Sequence, residues 1–273
     1  MRMRTSSIAL GACLLLARAA HAQAPVPPTP QGYTLVWQDE FDRDGLPDPA
    51  RWGYDVGGHG WGNREPQFYT ARRPENARVE AGHLVIEARK EAWQGAPYTS
   101  ARLVTKGKGD WTYGRIDVRA MLPRGRGSWP AIWMLATTPG KMKWPDDGEI
   151  DVMEHVGFDH GVVHASVHTK AYHHSIGTQK TARTTVADVS EAFHVYSVEW
   201  DASHVRILLD DREYFRYDKP AGAGKAEWPF DGPFHLLLNV AVGGAWGGEK
   251  GIDETSLPYR MLVDYVRVYQ RTR

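Results

Sequence analysis

Between Tyr33 and Tyr269 the chain is written in short runs of alternating apolar and polar residues, recurring every 8 to 15 residues and punctuated by Gly, Pro and Asp. The clearest are HLVIEARK (83–90), YGRIDVRAML (113–122), SWPAIWML (128–135), GEIDVMEH (148–155), VVHASVHTK (162–170), HVYSVEWD (194–201), HVRILLDD (204–211), FHLLLNVAV (234–242) and MLVDYVRVY (261–269). Period-two alternation rich in β-branched and aromatic residues is the signature of half-buried strands, and many such strands without helical spacers predict antiparallel sheets packed as a sandwich. Only SEAFHVYS hints at a helical turn. With no second linker and no internal repeat, 273 residues read as one all-β domain behind a short N-terminal extension.

Three runs share a two-faced pattern. Trp129, Ala131 and Trp133 oppose Ile132 and Met134; His164, Ser166 and His168 oppose Val163, Ala165 and Val167; Glu149 and Asp151 oppose Ile150 and Val152. If the three strands lie in one sheet, one face builds the core and the other is a groove of Trp, His, Glu and Asp. Such a groove suits a sugar, whose C–H groups stack on rings while its hydroxyls need acceptors.

Strict alternation would set Met153, not Glu154, beside Glu149 and Asp151. One extra residue in a β-bulge at Val152–Met153 returns Glu154 to the polar face. Two residues four ladder positions apart are then roughly 13 Å apart at Cα, and side chains leaning together close the carboxyl gap to roughly 6 Å. Retaining glycosidases hold their carboxyl pair about 5 to 5.5 Å apart and inverting ones about 6.5 to 9.5 Å, so the spacing favours retention.

Composition adds the compartment. MRMR, the apolar run SIALGACLLLA and Ala20-His21-Ala22 form an export leader over residues 1–22, too short to span a bilayer as a mature helix. A lipoprotein reading, with Leu10-Gly11-Ala12 before Cys13, competes with it. Cleavage after Ala22 removes the single cysteine and three of the 33 basic residues, Arg2, Arg4 and Arg18, leaving 30 against 33 acidic ones, a net −3. The expectation is a secreted, extracellular or periplasmic protein that relies on its core rather than on disulfides. No basic stripe points to nucleic acid and no mature segment to a membrane; a monomer is expected. Residues 23–32, Pro-rich and poor in apolar side chains, read as a tether.

GEIDVMEHVG resembles the E-x-D-x-x-E signature of family 16 of the glycoside hydrolases. DEFD (39–42), GWGNREPQFYT (60–70), YTSARLVTKGK (98–108), YGRIDVRAMLP (113–123), GSWPAIWML (127–135), NVAVGGAWGG (239–248) and VDYVRVY (263–269) resemble, in order, its endo-β-1,3-glucanase (laminarinase) branch. The resemblance implies a concanavalin-like jelly roll over residues 33–271, two curved antiparallel sheets with the cleft on the concave face. It implies Glu149 as nucleophile, Glu154 as acid and base, and Asp151 between them. It also implies cleft roles for Trp129, Trp133, His168, Asn63 and Trp246, with Glu65 and Arg102 nearby. No catalytic cofactor is expected, and a structural calcium ion is implied at Glu40, Gly82 and Asp264. Pro66 and Ala245 depart from residues common in relatives beside the groove. His59, His173 and His174 have no spacing that selects a metal. The implied function is an endo-acting β-1,3-glucan hydrolase; the alternatives are another β-linked polymer, such as mixed-linkage glucan or a galactan, and a non-hydrolytic glucan-binding module.

Overall fold

The computed structural model describes residues 29–272. The leader and most of the tether lie outside the described residues. Within them are seventeen strands and three single-turn 3-10 helices. SEAFHVYS is a turn leading into the strand His194–Trp200, with no helix.

The outer sheet is organised around the longest strand, Tyr259–Arg271. One edge of it pairs with His83–Trp93 and then Tyr33–Asp39, the other with Gly114–Met121. His194–Trp200, His204–Leu209 and Arg212–Asp218 continue the sheet. The inner sheet runs Lys180–Thr185, Val162–His168, Glu149–His155, Ser128–Ala136, Phe234–Val242 and Ala96–Val104. His83–Trp93 pairs in the outer sheet through its first half and with Ala96–Val104 through its second, so this hairpin ties the layers together.

One pairing differs from the antiparallel expectation. Gln67–Thr70 lies parallel to Ala96–Val104. The chain between them includes the strands Ala77–Glu80 and His83–Trp93, long enough for the crossover that a parallel pair requires.

The alternation read from the sequence sorts the layers. Ile132, Met134, Ile150, Val163, Ala165 and Val167 from the inner sheet meet Ile116, Val118, Val198, Val266 and Val268 from the outer, all buried in one core. The expected bulge is present. Against Val162–His168, Asp151 pairs with Ser166 and Glu154 with His164, three steps against two. Against Ser128–Ala136, Asp151 faces Trp133 and Met153 faces Ile132, two steps against one. Val152 and Met153 both enter the core, at 1% and 0% exposure. Without the extra residue Glu154 would sit in that apolar layer, at a cost of several kcal/mol for an unpaired carboxylate.

Candidate active site

The groove face of the inner sheet encloses a cavity of about 360 Å³. Glu149, Asp151 and Glu154 line it from one strand, with Trp129 and Trp133 from the next and Asn239 and Ala241 from the one beyond. Loops add Trp61, Asn63 and Glu65 on one side and Met142, Trp144 and His174 on the other. The residues singled out from the sequence therefore converge, with two distinctions. His168 is buried beside the carboxylates, with Nε2 3.1 Å from Oδ2 of Asp151 and 3.8 Å from Oε1 of Glu149. Trp246 packs edge-on against Trp129, ring centroids 5.6 Å apart, and so acts on the cleft through that ring.

Each end of the acidic strand is held by an indole. Trp129 donates Nε1–H to Oε1 of Glu154 at 3.0 Å, and Trp144 donates Nε1–H to Oε2 of Glu149 at 3.1 Å. Trp133 donates to Asn239, whose amide donates to the hydroxyl of Tyr69, which in turn donates to Glu65. Asn63 and Gln67 donate to the same carboxylate. The Arg102 guanidinium lies between the rings of Trp133 and Trp61, 4.5 and 4.7 Å from their centroids, and pairs with Asp55 at 3.0 Å. A face of Trp133 is thus already covered, and Trp129 is only 9% exposed. The more open ring is Trp144, 38% exposed, which has no partner in the alternation pattern and was invisible to it. Trp61 and Asn239 lay inside quoted motifs; only their loop and strand placement reveals a cleft position.

Three carboxyl groups so close cannot all be ionised. Burial, and then the Asp151 charge, push Glu154 up to about 8, with His168 and the Trp129 N–H opposing. Burial likewise raises Asp151 to about 8, opposed by its hydrogen bond with Glu149. Glu149 is driven well above the usual carboxylate range by burial and by Asp151. A proton is therefore retained within the cluster near neutrality, as an acid catalyst requires.

Ligand atoms of Glu149, Asp151 and His168 lie within 4.8 Å of one another, a spacing that suits a metal. The donor set argues otherwise. Nδ1 of His168 accepts the main-chain N–H of His174 at 3.3 Å, so the ring proton sits on Nε2, the nitrogen a metal would need.

The side chains of the expected calcium site have partners of their own. The Glu40 carboxylate is forked onto Arg267 at 2.7 and 2.8 Å, and Asp264 pairs with Arg119, its Oδ1 3.8 Å from His83. The Arg267 guanidinium is thus already the counter-ion of the Glu40 carboxylate.

Residues 64–267 match the family model described as glycosyl hydrolases family 16. A beta-glucanase of Rhodothermus marinus is 57% identical over 244 residues, covering 87% of this chain and 85% of that protein. The X-ray structure of the laminarinase from Rhodothermus marinus, 55% identical, superposes with a TM-score of 0.86 over 88% of this chain and 98% of that one. A non-specific endo-β-1,3(4)-glucanase of family 16 is 48% identical with a TM-score of 0.85, covering 90% of this chain and 94% of that one. With the jelly roll, the bulged acidic strand and these likenesses in agreement, the chain belongs to family 16 of the glycosyl hydrolases.

Proposed function

We propose that the protein is an exported, endo-acting hydrolase of β-1,3-glucan that works with retention by double displacement. The observation that carries this reading is the bulge that sets Glu149 and Glu154 on one cleft face with Asp151 between them. In the first step an oxygen of Glu149 bonds to the anomeric carbon, the bond from that carbon to the leaving oxygen breaks, and Glu154 gives its proton to that oxygen. In the second, Glu154 takes a proton from water as the water oxygen displaces Glu149. Asp151 shares a hydrogen bond with Glu149, and its Oδ2 lies 3.1 Å from Nε2 of His168, so it buffers the charge that moves between the two glutamates. No catalytic cofactor is needed.

The experiment is a reducing-sugar assay on laminarin, lichenan, carboxymethyl cellulose, agarose and κ-carrageenan; laminarin should be cut fastest. A second reading, activity on mixed-linkage glucan as well, is favoured by the likeness to a non-specific endo-β-1,3(4)-glucanase. A pure binding module is disfavoured, because it gains nothing from three carboxyl groups buried together. The leader supports secretion, and a chain that relies on its core rather than on disulfides is part of the same reading. We also propose a structural calcium ion: both carboxylate oxygens of Glu40 are on Arg267, so Glu40 would offer, like Gly82 in its turn, a carbonyl oxygen, while Asp264, engaged with Arg119 through Oδ2 alone, would offer Oδ1.

A further inference from the structure

Trp144 and Trp129 stand in parallel relation to the two working carboxyl groups, each giving its indole N–H to one oxygen and leaving the other for chemistry. Their seats differ. Trp129 lies on the strand Ser128–Ala136, packed by Val156, Ala241 and Trp246, and Trp246 is braced by the His164 ring at 4.9 Å. Trp144 sits on the loop before the acidic strand, its ring bordered by His168, His173 and His174 at 6.0, 5.5 and 5.0 Å.

We propose that Trp144 and Trp129 are positioning residues that set, through their indole N–H groups, the reactivity of Glu149 and Glu154 separately. The inference rests on the reading of those two residues as nucleophile and acid/base. A donor on a carboxylate favours its charged form. On Glu149 it fixes the group's plane and stabilises the charge that returns when the glycosyl ester breaks, making the carboxylate a better leaving group. On Glu154 it stabilises the charge that appears as the proton leaves for the glycosidic oxygen. The other groups facing Glu149 are Asp151, His168, Glu154 and Arg102; those facing Glu154 are Asp151, His168 and Glu65, with Tyr214 from the outer sheet and His164 across the strand pair. None donates an N–H to either indole-bound oxygen among the described hydrogen bonds.

The test is the pH profile of kcat/KM on soluble β-1,3-glucan for Trp144→Phe and Trp129→Phe, with Trp133→Phe, whose N–H goes to Asn239, as control. Losing a donor to a charged group raises that group's pKa by roughly one unit. The acid limb should therefore move up in Trp144→Phe with the alkaline limb fixed, the alkaline limb should move up in Trp129→Phe, and Trp133→Phe should move neither. In protein labelled with 5-fluorotryptophan, which keeps every side chain in place, the Trp144 resonance should titrate with the acid limb and the Trp129 resonance with the alkaline one. Fixed limbs with only a raised KM, or resonances that do not titrate, would overturn the proposal and leave the rings as stacking surfaces. Activity surviving in Glu149→Gln or Glu154→Gln would instead strike the underlying reading.

Discussion

Nε2 of His168 lies 3.1 Å from Oδ2 of Asp151 while the opposite nitrogen of the same ring accepts the main-chain N–H of His174. The loop that follows the strand Val162–His168 thereby selects the tautomer that faces the middle carboxyl group. Removing this close polar contact in His168→Ala should lower kcat on laminarin by up to roughly tenfold, and His168→Asn should recover part of it. An unchanged kcat in His168→Ala would mean that Glu149 alone orients Asp151.

Glu149→Gln and Glu154→Gln should each remove measurable hydrolysis, and Asp151→Asn should leave a residual rate. The first two make or break bonds; the third acts on their charge. Proton NMR of the first products of the wild-type protein should show the β-anomer before mutarotation, and an initial α-anomer would exclude double displacement.

The cluster should cost stability where it ionises. Glu154 is raised to about 8 in the folded state, above its unfolded value, so the folded state holds the extra proton between roughly pH 4 and 8. Stability from this group is complete below the unfolded pKa and is lost as pH rises through the folded one. Glu154→Gln, isosteric and neutral, should melt higher than wild type at pH 8, by the equivalent of about 1 kcal/mol or more, and the gap should close near pH 4. Equal melting temperatures at both pH values would show that water in the cleft relieves the burial.

Trp133 joins a hydrogen-bond chain on one edge and the Arg102 guanidinium on one face. Trp133→Ala should lower kcat/KM on long glucans by about 1 to 3 kcal/mol, through lost ring area and a freed arginine. An unaltered kcat/KM would place that ring outside the substrate path.

Millimolar calcium should raise the melting temperature of metal-stripped protein, and Asp264→Ala should abolish the response. Glu40→Gln should keep it, although losing the fork to Arg267 lowers the baseline, because only its carbonyl is proposed as a ligand. A calcium response equal in Asp264→Ala would put the ion elsewhere.

The fold was legible because period-two alternation is dictated by a sheet with one dry face, and nearly every run that showed it became a strand. The bulge was legible for the complementary reason: a strict ladder would have buried Glu154, and the chain has no other cheap way out. Trp144 was not legible. It sits in KMKWPDD, a loop with no period, and its hydrogen bond to Glu149 depends on how that loop folds back over the strand it precedes. The Arg102 stack was hidden likewise, since strand pairing says which residues share a face but not which of them cover one another. The fork of Glu40 onto Arg267 was hidden too, because the two residues stand 227 positions apart and no periodicity joins them.

The two-residue bulge at Val152–Met153 also bears on how the chain finds its register. Slipping the strand Glu149–His155 by one position against either neighbour would turn Glu154 inward and lift Met153 into water, replacing a methionine contact by a buried charge. The penalty, several kcal/mol, falls on the misaligned sheet and not on the native one. The groups proposed to cleave the substrate thus serve during folding as alignment marks, so that a molecule with its strands out of step is selected against before it meets any glucan.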